Sequence, residues 1–211
     1  MTTPLAVKIA RDYGTPAAVI DMDRVERNIA RIQAACDAAG VANRPHIKTH
    51  KSPMLAKLQV AAGAKGITCQ KLGEAEVMAD AGIDNILISY NLLGEEKMAR
   101  LGALQAKAHM TVAADNPTVV SSLTQAAAHS GRPLSVVVEC DTGRKRAGVE
   151  TPAEAIALAR QNTGPAPTSI TTGCRSARAS RPGTIARSTS IPPWSVVPDP
   201  IAVFSMPVRK R

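Results

Sequence analysis

Up to about Gln161, short apolar runs alternate with polar loops and with longer stretches whose apolar residues recur at helical spacing. A run of four to six mostly apolar residues reads as a strand buried on both faces, whereas apolar positions three and four apart mark one side of an amphipathic helix. The pattern predicts strands over 17–20, 45–48, 66–69, 85–89, 110–113 and 134–139. Their starts fall about twenty to thirty residues apart, the length of a βα unit. Between them the helix starts are written in capping chemistry. Asp23 with Glu26 forms a capping box ahead of the stripe Val25, Ile29 and Ile32. Ser52-Pro53, Asn116-Pro117 and Thr151-Pro152 each place a capping side chain before a proline at the first helical position, and Glu154 completes a box with Thr151. Gly40, Gly63, Gly82 and Gly131 follow helical patterns where a left-handed terminating residue is expected. Strand and helix alternating through short connections require parallel strands. A (β/α) barrel and an open doubly wound sheet both satisfy the pattern.

The pattern stops after Gln161. Residues 162–211 are dominated by Thr, Ser, Pro, Gly and Arg, with no strand or helix period before the short run 201–204. Such a composition buries too little apolar surface to offset its ordering entropy, so a disordered tail is expected. The abrupt onset, where a further strand is due, is also what a shifted reading frame in a GC-rich gene yields. The expected organisation is a partial barrel domain over 1–161 and a basic Ser/Thr/Pro/Arg-rich tail over 162–211.

Charge follows the same division. The formal net charge is +9, and from Asn162 onward seven basic residues face the single acid Asp199, a surplus of six that leaves three for residues 1–161. With aromatics at only 2%, a nucleic-acid surface built on stacking is not expected. No apolar run reaches the roughly 18 residues that span a bilayer, which makes the expectation a cytoplasmic protein without membrane contact. Cys36, Cys69, Cys140 and Cys174 form no CxxC pair and read as buried free thiols. No GxGxxG or GxxxxGK[ST] run occurs, so mononucleotide binding is not supported.

The strongest chemical signal is Arg44-Pro45-His46-Ile47-Lys48-Thr49-His50-Lys51. It puts a lysine at the C-terminal end of an expected strand, where barrels carry reacting groups and doubly wound sheets bind ligands. Desolvation and neighbouring cations depress a lysine's pKa and free its amine for Schiff-base chemistry, and Arg44, His46, His50 and Lys51 are the cations at hand. Asp21, Asp23 and the Asp115-Asn116 pair are better explained by helix capping than by acid/base work.

This block resembles the strand-two motif of the fold-type III pyridoxal phosphate enzymes, in the branch of D-threonine aldolase and eukaryotic-type D-serine dehydratase. Gly14-Thr15-Pro16-Ala17-Ala18-Val19-Ile20-Asp21 is similar to that family's entry strand. Thr68-Cys69-Gln70-Lys71-Leu72-Gly73-Glu74-Ala75-Glu76 resembles its motif after strand three, and Asp141-Thr142-Gly143-Arg144-Lys145-Arg146-Ala147-Gly148-Val149 its DxGxxRxGV element. The resemblance implies the alanine racemase-type barrel: an α/β fold, here an incomplete (β/α)8 TIM-type barrel of about six units. It makes Lys48 the residue that holds pyridoxal 5'-phosphate and Arg146 the guanidinium at the cofactor's phenolic oxygen. Gln70 and His46 would line the cofactor, and Asp141 and Thr142 would shape the loop to Arg146. The implied reaction is lyase chemistry of D-threonine aldolase type, cleaving a D-3-hydroxy amino acid to glycine and an aldehyde. D-Serine dehydration, amino-acid racemisation, a non-catalytic cofactor-binding protein and an inactive truncated fragment are the alternatives. The family uses a divalent metal, but no metal site is found in this sequence. The expected partners are a small D-amino acid and, in a homodimer, a second copy of the chain.

Overall fold

The computed structural model describes residues 4–161 and 170–171. Seven α-helices and five strands occur among them, in the order α1 (Pro4–Tyr13), α2 (Met22–Ala38), a 3-10 turn (Ile47–Thr49), α3 (Pro53–Ala61), β1 (Ile67–Cys69), α4 (Leu72–Asp80), β2 (Asn85–Ile88), α5 (Glu95–Leu104), β3 (His109–Ala114), α6 (Pro117–Ser130), β4 (Ser135–Val138), α7 (Pro152–Arg160) and β5 (Ile170–Thr171). The strands form one parallel sheet in sequence order, β1-β2-β3-β4-β5. Thr68 pairs with Leu87, Leu87 with Thr111, and Val136 with Ile170. Successive βα units joined side by side in this order make an α/β fold, an incomplete (β/α) barrel. The tail expected over 162–211 lies outside the described residues apart from Ile170 and Thr171.

The core fills the space between sheet and helices. Ile67, Ile86, Ile88, Met110, Val112 and Val136 from the strands meet Met98, Leu101 and Leu123 from α5 and α6, all 2% exposed or less. Where α5 crosses α6 a glycine is required, because a Cβ on Gly102 would lie 2.7 Å from His129 Cβ.

Most of the capping signals hold. Ser52 Oγ accepts from Leu55 N–H at 3.4 Å and Asn116 Oδ1 from Val119 N–H at 3.0 Å, and the full box of Thr151 and Glu154 is present. Gly131 closes α6 with φ 63°. For α2, however, the cap is Asp21, whose Oδ1 accepts from Arg24 N–H at 3.1 Å, and Asp23 lies inside the first turn. Asp21 precedes that turn in extended backbone, which is the conformation a cap needs.

Two expected strands take other forms. The run 17–20 is not a strand: an apolar run becomes one only where another edge meets it, and no ladder among the described residues reaches it. Val19 and Ile20 are 61% and 58% exposed. The run 45–48 pairs once, through the His46–Thr68 bridge and Thr68 N–H to Pro45 O at 2.8 Å, and then turns. The cause is local, since His46 Nδ1 accepts the Lys48 N–H at 3.2 Å and draws it away from the ladder.

Candidate active site

The C-terminal ends of the strands carry nearly all the polar side chains singled out above. Lys48 is exposed on the 3-10 turn that His46 caps. Because His46 Nδ1 accepts from Lys48 N–H, the neutral ring carries its proton on Nε2, 3.4 Å from Ser89 Oγ. Ser89 is 6% exposed, and its hydroxyl donates to Cys69 O at 3.4 Å while its backbone N–H donates to the same carbonyl at 3.0 Å. His46 is thereby fixed in tautomer and orientation beside the lysine. In sequence Ser89 is only the last residue of an expected strand; its place beside His46 follows from register, which sets it across from the end of β1.

The cationic surrounding expected for Lys48 is largely spent elsewhere. Arg44 is 4% exposed, with Nη1 donating to Ile67 O at 3.3 Å and Asn85 O at 3.4 Å, at the N-terminal ends of β1 and β2. Burial pulls its pKa below the ordinary value. Lys51 forms an ion pair with Glu74. That carboxylate also accepts the Gln70 N–H at 2.8 Å, so Gln70 is anchored just past β1. Burial opposes ionisation of Glu74, but Lys51 and the Gln70 and Lys71 N–H groups outweigh it and hold its pKa below the usual carboxylate range. His50 accepts the Ser52 N–H on Nδ1 at 3.1 Å, with Gln59 beside the ring. Burial, reinforced by the Glu74 charge, pushes the Cys69 thiol up to about 12, which leaves it no thiolate to react with.

Arg146 is exposed on the loop between β4 and α7. The ends of that loop are latched by Asp141 N–H to Val149 O at 2.8 Å and Val149 N–H to Glu139 O at 2.9 Å. The Asp141 carboxylate accepts from the N–H groups of Gly143, Arg144 and Lys145 at 2.8, 2.8 and 2.9 Å. Those bonds hold its pKa below the usual range, and they hold Lys145 at φ 53°, a conformation that costs a non-glycine residue of order 1 kcal/mol. A shallow recess of about 330 Å³ opens beside Arg146, Asp115 and Asp141; Lys48, His46 and Gln70 do not line it.

Hydrogen bonds nonetheless stitch the two ends of the site together along the sheet. His46 reaches Ser89 after β2, Asn91 two residues on donates to Asp115 Oδ1 at 2.7 Å after β3, and Asp115 Oδ2 accepts the Gly148 N–H at 2.9 Å in the Arg146 loop. Asp115 is therefore not a capping residue, the role expected of it; Asn116 alone caps α6. Ser89, Asn91 and Asp115 come from separate units, and no local spacing announces their meeting. Among the described residues no group of three or more His, Cys, Asp and Glu side chains could hold a metal ion.

A primary amine and a guanidinium, each presented from a fixed backbone at the same end of a parallel sheet, can hold an aldehyde-bearing anionic cofactor: the amine by condensation, the cation by charge. The family model described as alanine racemase, N-terminal domain, matches residues 20–175. A D-threonine aldolase from Arthrobacter sp. is 43% identical over 147 residues, which is 70% of this chain and 39% of that protein. The D-threo-3-hydroxyaspartate dehydratase of Delftia sp. (strain HT23) is 39% identical over 135 residues, 64% of this chain and 36% of that protein. The crystal structure of D-threonine aldolase from Filomicrobium marinum superposes with a TM-score of 0.68 at 40% identity, covering 69% of this chain and 39% of that one. The chain thus spans about two fifths of the length of these relatives.

Proposed function

The chain belongs to the alanine racemase N-terminal domain family, and from that premise we propose that it binds pyridoxal 5'-phosphate through Lys48 and serves lyase chemistry of D-threonine aldolase type on D-3-hydroxy amino acids. The observation that carries the reading is the placement of Lys48, an exposed amine on a His46-capped turn at the C-terminal end of the sheet, in a chain 43% identical to a D-threonine aldolase. The donor set fits the group: Lys48 supplies the amine, and Arg146 the permanent charge for the phenolic oxygen. Gln70 would face the same oxygen or the ring. Pyridoxal phosphate, when bound, supplies an electron sink for the pair left on the substrate's α-carbon.

What the chain's own residues do is orient and hold protons. With the cofactor bound, Lys48 Nζ would be the amine that holds it and the atom that would take up a proton on release. His46 carries its proton on Nε2, pointed at Ser89 Oγ, and its Nδ1 is occupied by the Lys48 N–H. In that state it positions the lysine rather than serving as a free base. Glu74 keeps Lys51 paired, so that Lys48 is the lysine of the motif left for condensation. Free, buried Cys36 and Cys69 support a reducing, cytoplasmic setting, and no helix among the described residues is long and apolar enough to cross a membrane.

Dehydration of a D-3-hydroxy amino acid is the second reading, favoured by the similarity to a D-threo-3-hydroxyaspartate dehydratase. Purified protein with added pyridoxal phosphate is expected to develop the visible absorbance of a lysine-linked cofactor, and Lys48→Ala to lose it. D-Threonine should then give glycine and acetaldehyde. Formation of a 2-oxo acid and ammonia instead would favour dehydration. An absorbance that survives in Lys48→Ala would sink the assignment of the lysine.

A further inference from the structure

We propose that Asp115 is a positioning residue for Arg146, acting across two βα units; the proposal rests on Arg146 being the cation that faces the cofactor. Arg146 lies between two points at which its loop is gripped by a carboxylate. Asp141 takes the N–H groups of Gly143, Arg144 and Lys145 before it. Asp115 takes the N–H of Gly148 after it, at 2.9 Å. The first grip is internal to the loop and would travel with it if the loop moved. The second ties the loop to the end of β3, and so to the rigid sheet.

Asp115 is itself held for this purpose. Its Oδ1 accepts from both Asn91 Nδ2 and Asn116 Nδ2 at 2.7 Å, which leaves Oδ2 facing Gly148. Those donors outweigh its burial and keep it ionised below the usual carboxylate range. The capping of α6 does not need it, because Asn116 performs that task. Gly148 is matched to the grip: at φ 102°, any Cβ would lie 2.5 Å from Asp141 N and 2.6 Å from Cys140 C. Its N–H therefore reaches Asp115 only because the backbone packs against Cys140 and Asp141 without a side chain between. A guanidinium on an otherwise exposed loop acquires a fixed origin by this route, which is what charge complementarity to a bound group requires.

The test uses the full chain. Pyridoxal phosphate is titrated spectroscopically into the unmodified protein, Asp115→Ala, Arg146→Gln and the double variant, and amide hydrogen exchange is followed over residues 141–149. Asp115→Ala is expected to raise exchange in that loop and to weaken cofactor binding about ten- to a hundredfold, the scale of one hydrogen bond to a charged group. The double variant is expected to bind no more weakly than Arg146→Gln, since both losses act through one guanidinium. Additive losses, as a general loss of stability would produce, overturn the proposal. So does unchanged exchange or unchanged affinity in Asp115→Ala while Arg146→Gln weakens binding. Unchanged affinity in Arg146→Gln overturns the reading of Arg146 and the proposal with it, a result distinct from failure at Asp115 alone. A chain without a Lys48-dependent band overturns both. Should Asp115→Ala fail to fold, Asn91→Ala removes one of the two amides that aim Asp115, and is expected to act in the same direction with smaller effect.

Discussion

At His50 the imidazole sits half-buried behind the lysine turn, with Nδ1 accepting from the Ser52 N–H. Burial lowers its pKa below the ordinary histidine value, against the opposing pull of Gln59 and the Ser52 N–H. A group that is harder to protonate in the folded state contributes stability that is present above the unfolded pKa, about 6.5, and lost as pH falls through the folded value. Urea midpoints measured from about pH 7.5 down to about 5.5 should therefore fall more steeply for the natural protein than for His50→Asn, which keeps the acceptor and loses the titration. Parallel slopes would exclude the histidine as the cause. Four candidates for the site, Lys48, His46, Gln70 and Arg146, stand out in the sequence because each sits inside a contiguous motif. Ser89, Asn91 and Asp115 do not, since a residue that acts across the sheet is identified by register and not by its neighbours in sequence.

Among the elements, β1 to β4 could be read from apolar runs because a strand covered on both faces needs little else. The same rule misread the run 17–20. Its composition suits a strand, but hydrogen-bonding partners make strands, and none of the described ladders extends to it. The difference is measurable as stability. Ile86→Ala, in the fully buried centre of β2, should cost about 2–5 kcal/mol, whereas Val19→Ser should stay within about 0.5 kcal/mol. A large loss at Val19, followed by denaturant unfolding, would mean that the run is covered in solution. Helix 3-10 geometry at Ile47–Thr49 was equally hidden from the pattern, since it depends on one histidine nitrogen capturing one backbone N–H.

Across the whole molecule, the excess positive charge and the βα pattern occupy different parts of the chain, and the family match over residues 20–175 covers the patterned part. One residue of the lysine motif belongs to this larger scale. Arg44 bridges the carbonyls of Ile67 and Asn85 from a nearly closed position, with its charge facing main-chain dipoles. A lysine ammonium lacks the planar fork that spans two strands, so Arg44→Lys should lower the thermal midpoint by the equivalent of about 1–3 kcal/mol. Below that midpoint its Lys48-dependent absorbance should persist. Full stability in Arg44→Lys would show the span to be dispensable. The motif is thus two messages printed in one line: its lysine is the proposed address of a reagent, while its arginine is a carpenter's brace between neighbouring staves, so likeness across all eight letters speaks for joinery along with chemistry.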